Sequence, residues 1–160
     1  MTNFEICVAP VLKNEGGIVN NPLDPGKLTK YGISQRSYPN LDIAKLTVEQ
    51  ATALYKRDYW DANGMDRFPL IVAFEFFDCA VNCGSGTAAR MLQQAVNVAD
   101  DGHIGAITIA AMTQMLPDKI AKRMFAFRTK FYTKLSTYKT FGSGWMNRMA
   151  DNALWESENV

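Results

Sequence analysis

The sequence predicts a single all-α domain, and three observations carry that expectation. Apolar residues recur at helical spacing along most of the chain, alternating strand patterns are nearly absent, and one run, FPLIVAFEFFDCAVNCG, is apolar on nearly all sides. That run is the expected buried central helix. At 160 residues and 48% hydrophobic content, the chain is long enough to bury a real core and too apolar to stay disordered.

Taken in order, Asn3 is placed to cap a first helix whose Phe4, Cys7, Val11 and Leu12 share one face. Gly16 and Gly17 stop it, and Pro10 inside it is expected to bend it. Residues 18–30 read as one long irregular segment. Thr47 and Gln50 have the spacing of a capping box and open a helix running to about Tyr59. The central helix follows, with Glu75, Asp78 and Asn82 at i, i+3 and i+7 forming one polar stripe. Ser85 is the expected cap of GTAARMLQQAVNV. DDGHIGAIT reads as a tight turn, shaped by Asp101 and Gly102, that leads into a short helix. Pro117 opens a long helix to about Tyr138, and a last helix covers roughly Trp145 to Trp155. With no repeat, low-complexity tract or linker, residues 1–160 read as one domain. Residues 1–84 supply the first helix and its loop, and residues 85–160 a second helical part packed into the same fold.

Composition narrows the function classes. A net charge of +1 is not that of a nucleic-acid polycation. The charge is uneven, with 9 basic against 12 acidic residues up to position 116 and 8 against 4 beyond it. Lys119, Lys122, Arg123, Arg128, Lys130, Lys134 and Lys139 lie along one predicted helix whose Met124, Phe127, Phe131 and Leu135 form a core face. Such a helix is a solvated face or a surface for anionic cell-envelope polymers. No apolar run reaches the ~20 residues of a membrane helix, and the start lacks the marks of a signal peptide. Synthesis in the cytoplasm without an export signal is therefore expected. Cys79 and Cys83, four apart on one helix, are poorly placed for a bridge, and a single His103 without CxxC spacing makes a zinc site improbable. No metal or organic cofactor is expected. Trp60, Trp145 and Trp155 read as core residues.

The stretch with chemical content is EGGIVNNPLDPGKLTKYGIS, residues 15–34. Glu15 stands in the last turn of a helix that ends in two glycines, which leave room for a bulky substrate. A general acid needs a carboxyl group that keeps its proton near neutral pH, and burial favours that form. Elsewhere such a glutamate is ordinarily a solvated surface residue. Asp24 follows with eight residues between it and Glu15, and Thr29 after four more. Asp24 is a second carboxylate for catalysis or, before Pro-Gly, simply a turn former. Thr29 is placed to orient a water molecule or to tie the loop to Glu15, and Tyr31 adds a ring and a hydroxyl to the same loop. In the polar stripe, paired structural roles are favoured for Glu75 and Asp78. Asn82 and Gln93 are neutral amides suited equally to sugar recognition and to internal bonding.

A helix-end glutamate facing an aspartate and a threonine across a polar loop resembles the cleft of phage-type lysozymes. The whole stretch resembles the signature of glycoside hydrolase family 108, a group of lysozyme-like N-acetylmuramidases. FDCAVNCGSGTAARMLQQAVN and DDGHIGAIT are similar to the family's peptidoglycan-binding segment, and FGSGWMNR to its closing motif. Lys27, Ile18 and Ala106 depart from the family's usual glycine, aromatic residue and proline. The resemblance implies a compact lysozyme-like fold and cleavage of the β-1,4 bond between N-acetylmuramic acid and N-acetylglucosamine. In that scheme Glu15 is the general acid, with Asp24 and Thr29 beside it and Tyr31, Asn82 and Gln93 holding substrate. It further implies a monomeric phage endolysin that reaches the wall after release from the cytoplasm. A lytic transglycosylase on the same bond, or a non-catalytic peptidoglycan-binding or secretion-associated module, are the competing readings.

Overall fold

The computed structural model describes residues 1–20 and 28–160; for residues 18–20 the backbone pairing alone is described. The first helix, α1, spans Asn3–Glu15. Its cap is Thr2 rather than the expected Asn3, because Glu5 completes a capping box with Thr2. Asn3 instead donates its amide to the Phe68 carbonyl. The helix runs on through Pro10 and ends at Gly16, whose φ of +70° suits glycine.

The segment expected to be irregular holds a small antiparallel meander: β1 (Ile18–Asn20), β2 (Leu28–Lys30) and β3 (Ile33–Ser34). Strands of two or three residues are too short for an alternating pattern to register in sequence. In the pairing, Lys30 faces Ile18 on one side and Ile33 on the other. Tyr31 and Gly32 form the two-residue hairpin between β2 and β3, with φ of +51° and +73°. Two successive positive φ values define the primed turns that match strand twist.

Beyond the meander, α2 (Val48–Tyr55) opens with the expected Thr47–Gln50 capping box. It passes into a π-helical turn, Lys56–Trp60. In a π turn hydrogen bonds run i→i+5, so residues five apart approach one face. Tyr55 and Trp60 are accordingly both buried. Trp60 meets Phe4 of α1 edge-on at 5.4 Å and Phe77 at 5.6 Å, and Tyr55 meets Phe77 at 6.1 Å. This aromatic knot fixes α1 and α2 against the central helix.

That central helix, α3, spans Leu70–Cys83, and every residue from Val72 to Ala80 is buried. It packs against α1, α4 (Ser85–Ala95) and α6 (Pro117–Thr133). Ser85 is the first residue of α4 rather than its cap, and its hydroxyl accepts from the Asn63 amide. The DDGHIG turn leads into α5 (Ala106–Thr113). The final helix, α7 (Tyr138–Asn159), starts earlier than the sequence suggests, and α6 stops at Thr133. Gly142 and Gly144 disguise that start. At the buried Gly142 a β-carbon would come 2.6 Å from the Tyr138 ring, so glycine there is a packing requirement. Trp155 of α7 packs on Phe74 at 4.2 Å, and Trp145 stacks on Tyr132 at 4.8 Å.

Among the described residues, neither Glu75 of α3 nor Glu156 of α7 forms an ion pair, and both line one pocket of about 420 Å³ between α3, α6 and α7. Glu156 Oε1 is buried with no donor among the described groups, and a proton shared between the two carboxyls would satisfy it. Burial pushes Glu75 up to about 7, against the pull of Arg128, and burial followed by the Glu75 charge pushes Glu156 up to about 8. The folded chain thus holds protons that an unfolded chain has released by pH 6. Stability from this pair is present below about 4.5 and lost as pH rises through 7 to 8. Melting curves between pH 5 and pH 9 should show this fall, and Glu156→Gln should flatten it. A variant as pH-sensitive as the parent would contradict the shared proton.

Candidate active site

Glu15 is the last residue of α1, and its side chain is 18% exposed. Three elements converge on it. From α7, Arg148 Nη1 donates to Glu15 Oε1 at 2.6 Å. From the β2–β3 hairpin, Gly32 lies so close that a β-carbon there would sit 2.6 Å from Glu15 Oε2 and 2.6 Å from the Tyr55 hydroxyl. From α2, that hydroxyl donates to the Tyr31 carbonyl at 2.8 Å and holds the left-handed hairpin in place. Glycine at 32 is required twice over, by its positive φ and by this approach. Burial, then the charge of Glu15, raises the Tyr55 hydroxyl far above its ordinary value, so it stays protonated and donating.

Arg148 is itself held by the polar stripe. Its Nε and Nη2 donate to Asp78 Oδ1 at 2.9 and 2.7 Å, a fork that leaves Nη1 for Glu15. Asp78 is fully buried and also pairs with Arg128 of α6, Oδ2 to Nη1 at 2.8 Å. Burial raises the Asp78 carboxyl, but Arg128 and Arg148 outweigh it and hold the group below its ordinary value. Burial likewise opposes the charge of Arg148, and Asp78 and Glu15 overcome it. Two acidic side chains and two guanidiniums therefore form one largely buried quartet. Glu15 meets a guanidinium rather than the purely desolvating wall that the sequence suggested.

The other sequence-predicted residues fall in different places. Asp24 lies outside the described residues. Thr29 is half-buried in the middle strand, opposite Val19 and Ser34. Tyr31 occupies the hairpin turn, its ring under Lys30 Nζ at 5.5 Å and its carbonyl bound by Tyr55. Asn82 is exposed at the C-terminal end of α3, one turn beyond Asp78, and its oxygen accepts from Tyr132 at 2.5 Å. Gln93 turns inward. Only 2% exposed, it donates to Asp101 and the His103 carbonyl and accepts from Gly102 N–H, which makes it the internal brace of the DDGHIG turn. Arg148, Tyr55 and Gly32 were missed as site residues. The signals for Arg148 and Gly32, FGSGWMNR and KYGIS, were visible as motifs; nothing in VEQATALY marked Tyr55.

A helical body whose first helix ends in a half-buried glutamate, faced by a small hairpin, has the frame of lysozyme-like glycosidases. Residues 8–84 match the model of the glycosyl hydrolase 108 family, and residues 87–150 match one described as a predicted peptidoglycan domain. Among solved structures the chain is similar to SagA of Brucella abortus, at 32% identity over 96% of this chain and 94% of that one, with a TM-score of 0.87. No curated protein sequence matches it. The chain belongs to the glycosyl hydrolase 108 family, with a peptidoglycan-binding segment behind the hydrolase segment. It is a glycoside hydrolase that acts on peptidoglycan.

Two substitutions test this geometry. Asp78→Asn removes the shared anion and leaves Arg128 buried without a counter-charge, which should cost about 3–5 kcal/mol in urea unfolding. Gly32→Ala should cost about 1–3 kcal/mol through its left-handed backbone and should lower turnover further by displacing Glu15. An alanine variant with parental stability and rate would contradict the close approach.

Proposed function

We propose that the chain hydrolyses the β-1,4 bond between N-acetylmuramic acid and N-acetylglucosamine, with Glu15 as the general acid that protonates the leaving oxygen. The observation that carries this reading is the setting of Glu15 inside the hydrolase segment. One oxygen is gripped by Arg148, while the other packs against Gly32, where a β-carbon would come within 2.6 Å of it. A positioned acid of this kind contributes about 10²–10⁴-fold to a rate. Arg148 fixes the carboxyl plane, and Tyr55 fixes the hairpin wall opposite.

Asp24 is our choice for the second carboxylate, on its place in the sequence motif. A separation of about 6.5–9.5 Å from Glu15 would admit an attacking water and invert the anomer, whereas about 5–5.5 Å would mean a retaining route. Thr29, in the strand that follows, is proposed to position that water. Tyr31 and Asn82 are proposed sugar contacts, since Asn82 is exposed beside the stripe that holds Arg148. On the resemblance to phage muramidases we extend the reading to an endolysin that meets the wall after release from the cytoplasm.

The deciding experiment is digestion of purified peptidoglycan by the parent and by Glu15→Gln. The parent should release reducing ends, and the variant should lose at least about 10²-fold in rate. Because the substitution also alters the contact with Arg148, its melting temperature is measured alongside to separate lost chemistry from lost folding. Products with 1,6-anhydro ends would replace hydrolysis by transglycosylation. A folded variant that clears walls as fast as the parent would end the assignment of Glu15.

A further inference from the structure

A second feature of chemical interest lies between α4 and α6, where a groove of about 480 Å³ opens to solvent. Arg90 stands on its α4 wall, and Lys130 and Lys134 on its α6 wall; all three are exposed. Half-buried Phe127 and Phe131 supply apolar and aromatic surface between them. No carboxylate lines the groove, and none of the three cations forms an ion pair among the described residues. Asp101, whose carboxyl feels Arg90, is already bound to the Gln93 amide and the His103 N–H. The contrast with Arg123 on the same helix is informative. Its guanidinium is spent on the Ala95 and Gln94 carbonyls and on Asn97. Arg90, Lys130 and Lys134 hold no comparable structural duty.

Cations on two facing walls, with apolar surface between, fit a ligand that carries separated anionic groups on a short, partly apolar body. A neutral sugar chain would leave the cations unused, and a uniform polyphosphate would leave the two phenylalanines unused. The short peptide that branches from muramic acid has the required character, with carboxylates along it and at its end and methyl side chains between. Every groove residue also falls within residues 87–150, the segment matched to a peptidoglycan domain. We propose that this groove seats the carboxylate-bearing stem peptide of peptidoglycan, held by Arg90 on one wall and by Lys130 and Lys134 on the other. The proposal rests on the peptidoglycan reading and adds to it a second point of substrate recognition, made by peptide rather than by glycan. The ion pairs would be exposed, so each is weak and screened by salt; recognition comes from three acting together on one ligand.

Calorimetric titration of the full chain with free stem peptide, released from peptidoglycan by an amidase, tests it directly. Replacing Arg90, Lys130 and Lys134 together with glutamine should weaken that binding about tenfold. The same variant should need more substrate to reach half-maximal rate on intact peptidoglycan and match the parent on glycan stripped of peptides. Binding of the peptide unchanged by the three substitutions would overturn the groove, as would preferential binding of inorganic polyphosphate over the peptide. A parent that releases reducing ends but binds no stem peptide removes the groove and leaves the proposed reaction standing. A parent that releases none removes the reaction, and the titration then decides the groove alone.

Discussion

The structure depends most on one carboxylate. Asp78 sits in the middle of the buried central helix, where an unpaired charge would be untenable. Two guanidiniums compensate it, Arg128 from α6 and Arg148 from α7, and the second of these reaches on to Glu15 at the end of α1. Four helices are thereby tied through a single buried anion. Breaking such a cluster is expensive because each surviving charge is stranded, whereas forming it adds only modestly to stability. Its use is positional: it sets where Arg148 stands, and Arg148 sets where Glu15 stands.

A lysine at 148 would not do the same work. The guanidinium is a planar fork, and here two of its nitrogens are committed to Asp78 while the third addresses Glu15. An ammonium group on a flexible stem has no comparable way to hold one carboxylate while aiming at another. The opposite side of Glu15 is fixed by different means. There the backbone of the β2–β3 hairpin comes close enough to exclude any side chain, and Tyr55 holds that backbone by its Tyr31 carbonyl. Tyr55 in turn is fixed by the aromatic knot around Phe77. Polar contacts on one side and apolar packing on the other leave the carboxyl little freedom, as the proposed role of general acid requires.

How legible this was in the sequence follows from the range of each interaction. The buried central helix was readable because nearly every residue in it is apolar, and the Thr47–Gln50 cap because its bonds span three residues. Glu15 was readable because Gly16 and Gly17 stand next to it. The Asp78–Arg148 pair spans 70 residues and the Arg148–Glu15 pair 133, so no local pattern announced either, though the stripe of Glu75, Asp78 and Asn82 required partners of some kind. The amides show the same limit. Asn82 and Gln93 look alike in sequence, yet one ends exposed beside the polar stripe and the other is buried as the brace of a turn. Only the fold distinguishes them.

The same long-range bonds explain why the segments matched as hydrolase and as peptidoglycan domain form one working body. Residues 8–84 contain Glu15, Gly32, Tyr55 and Asp78, whereas Arg128 and Arg148 come from residues 87–150. Cut from its second segment, the first would keep its glutamate and its hairpin but would bury Asp78 without a counter-charge and leave Glu15 without the group that fixes Oε1. The second segment alone would carry two buried guanidiniums with no anion between them. Both guanidiniums meet their acids only when both segments are present, which makes the setting of the proposed general acid a property of the joined chain. The groove on the α4–α6 face lies on helices packed against α3, which carries Asp78, so the proposed peptide contacts would be made on the same body that positions Glu15.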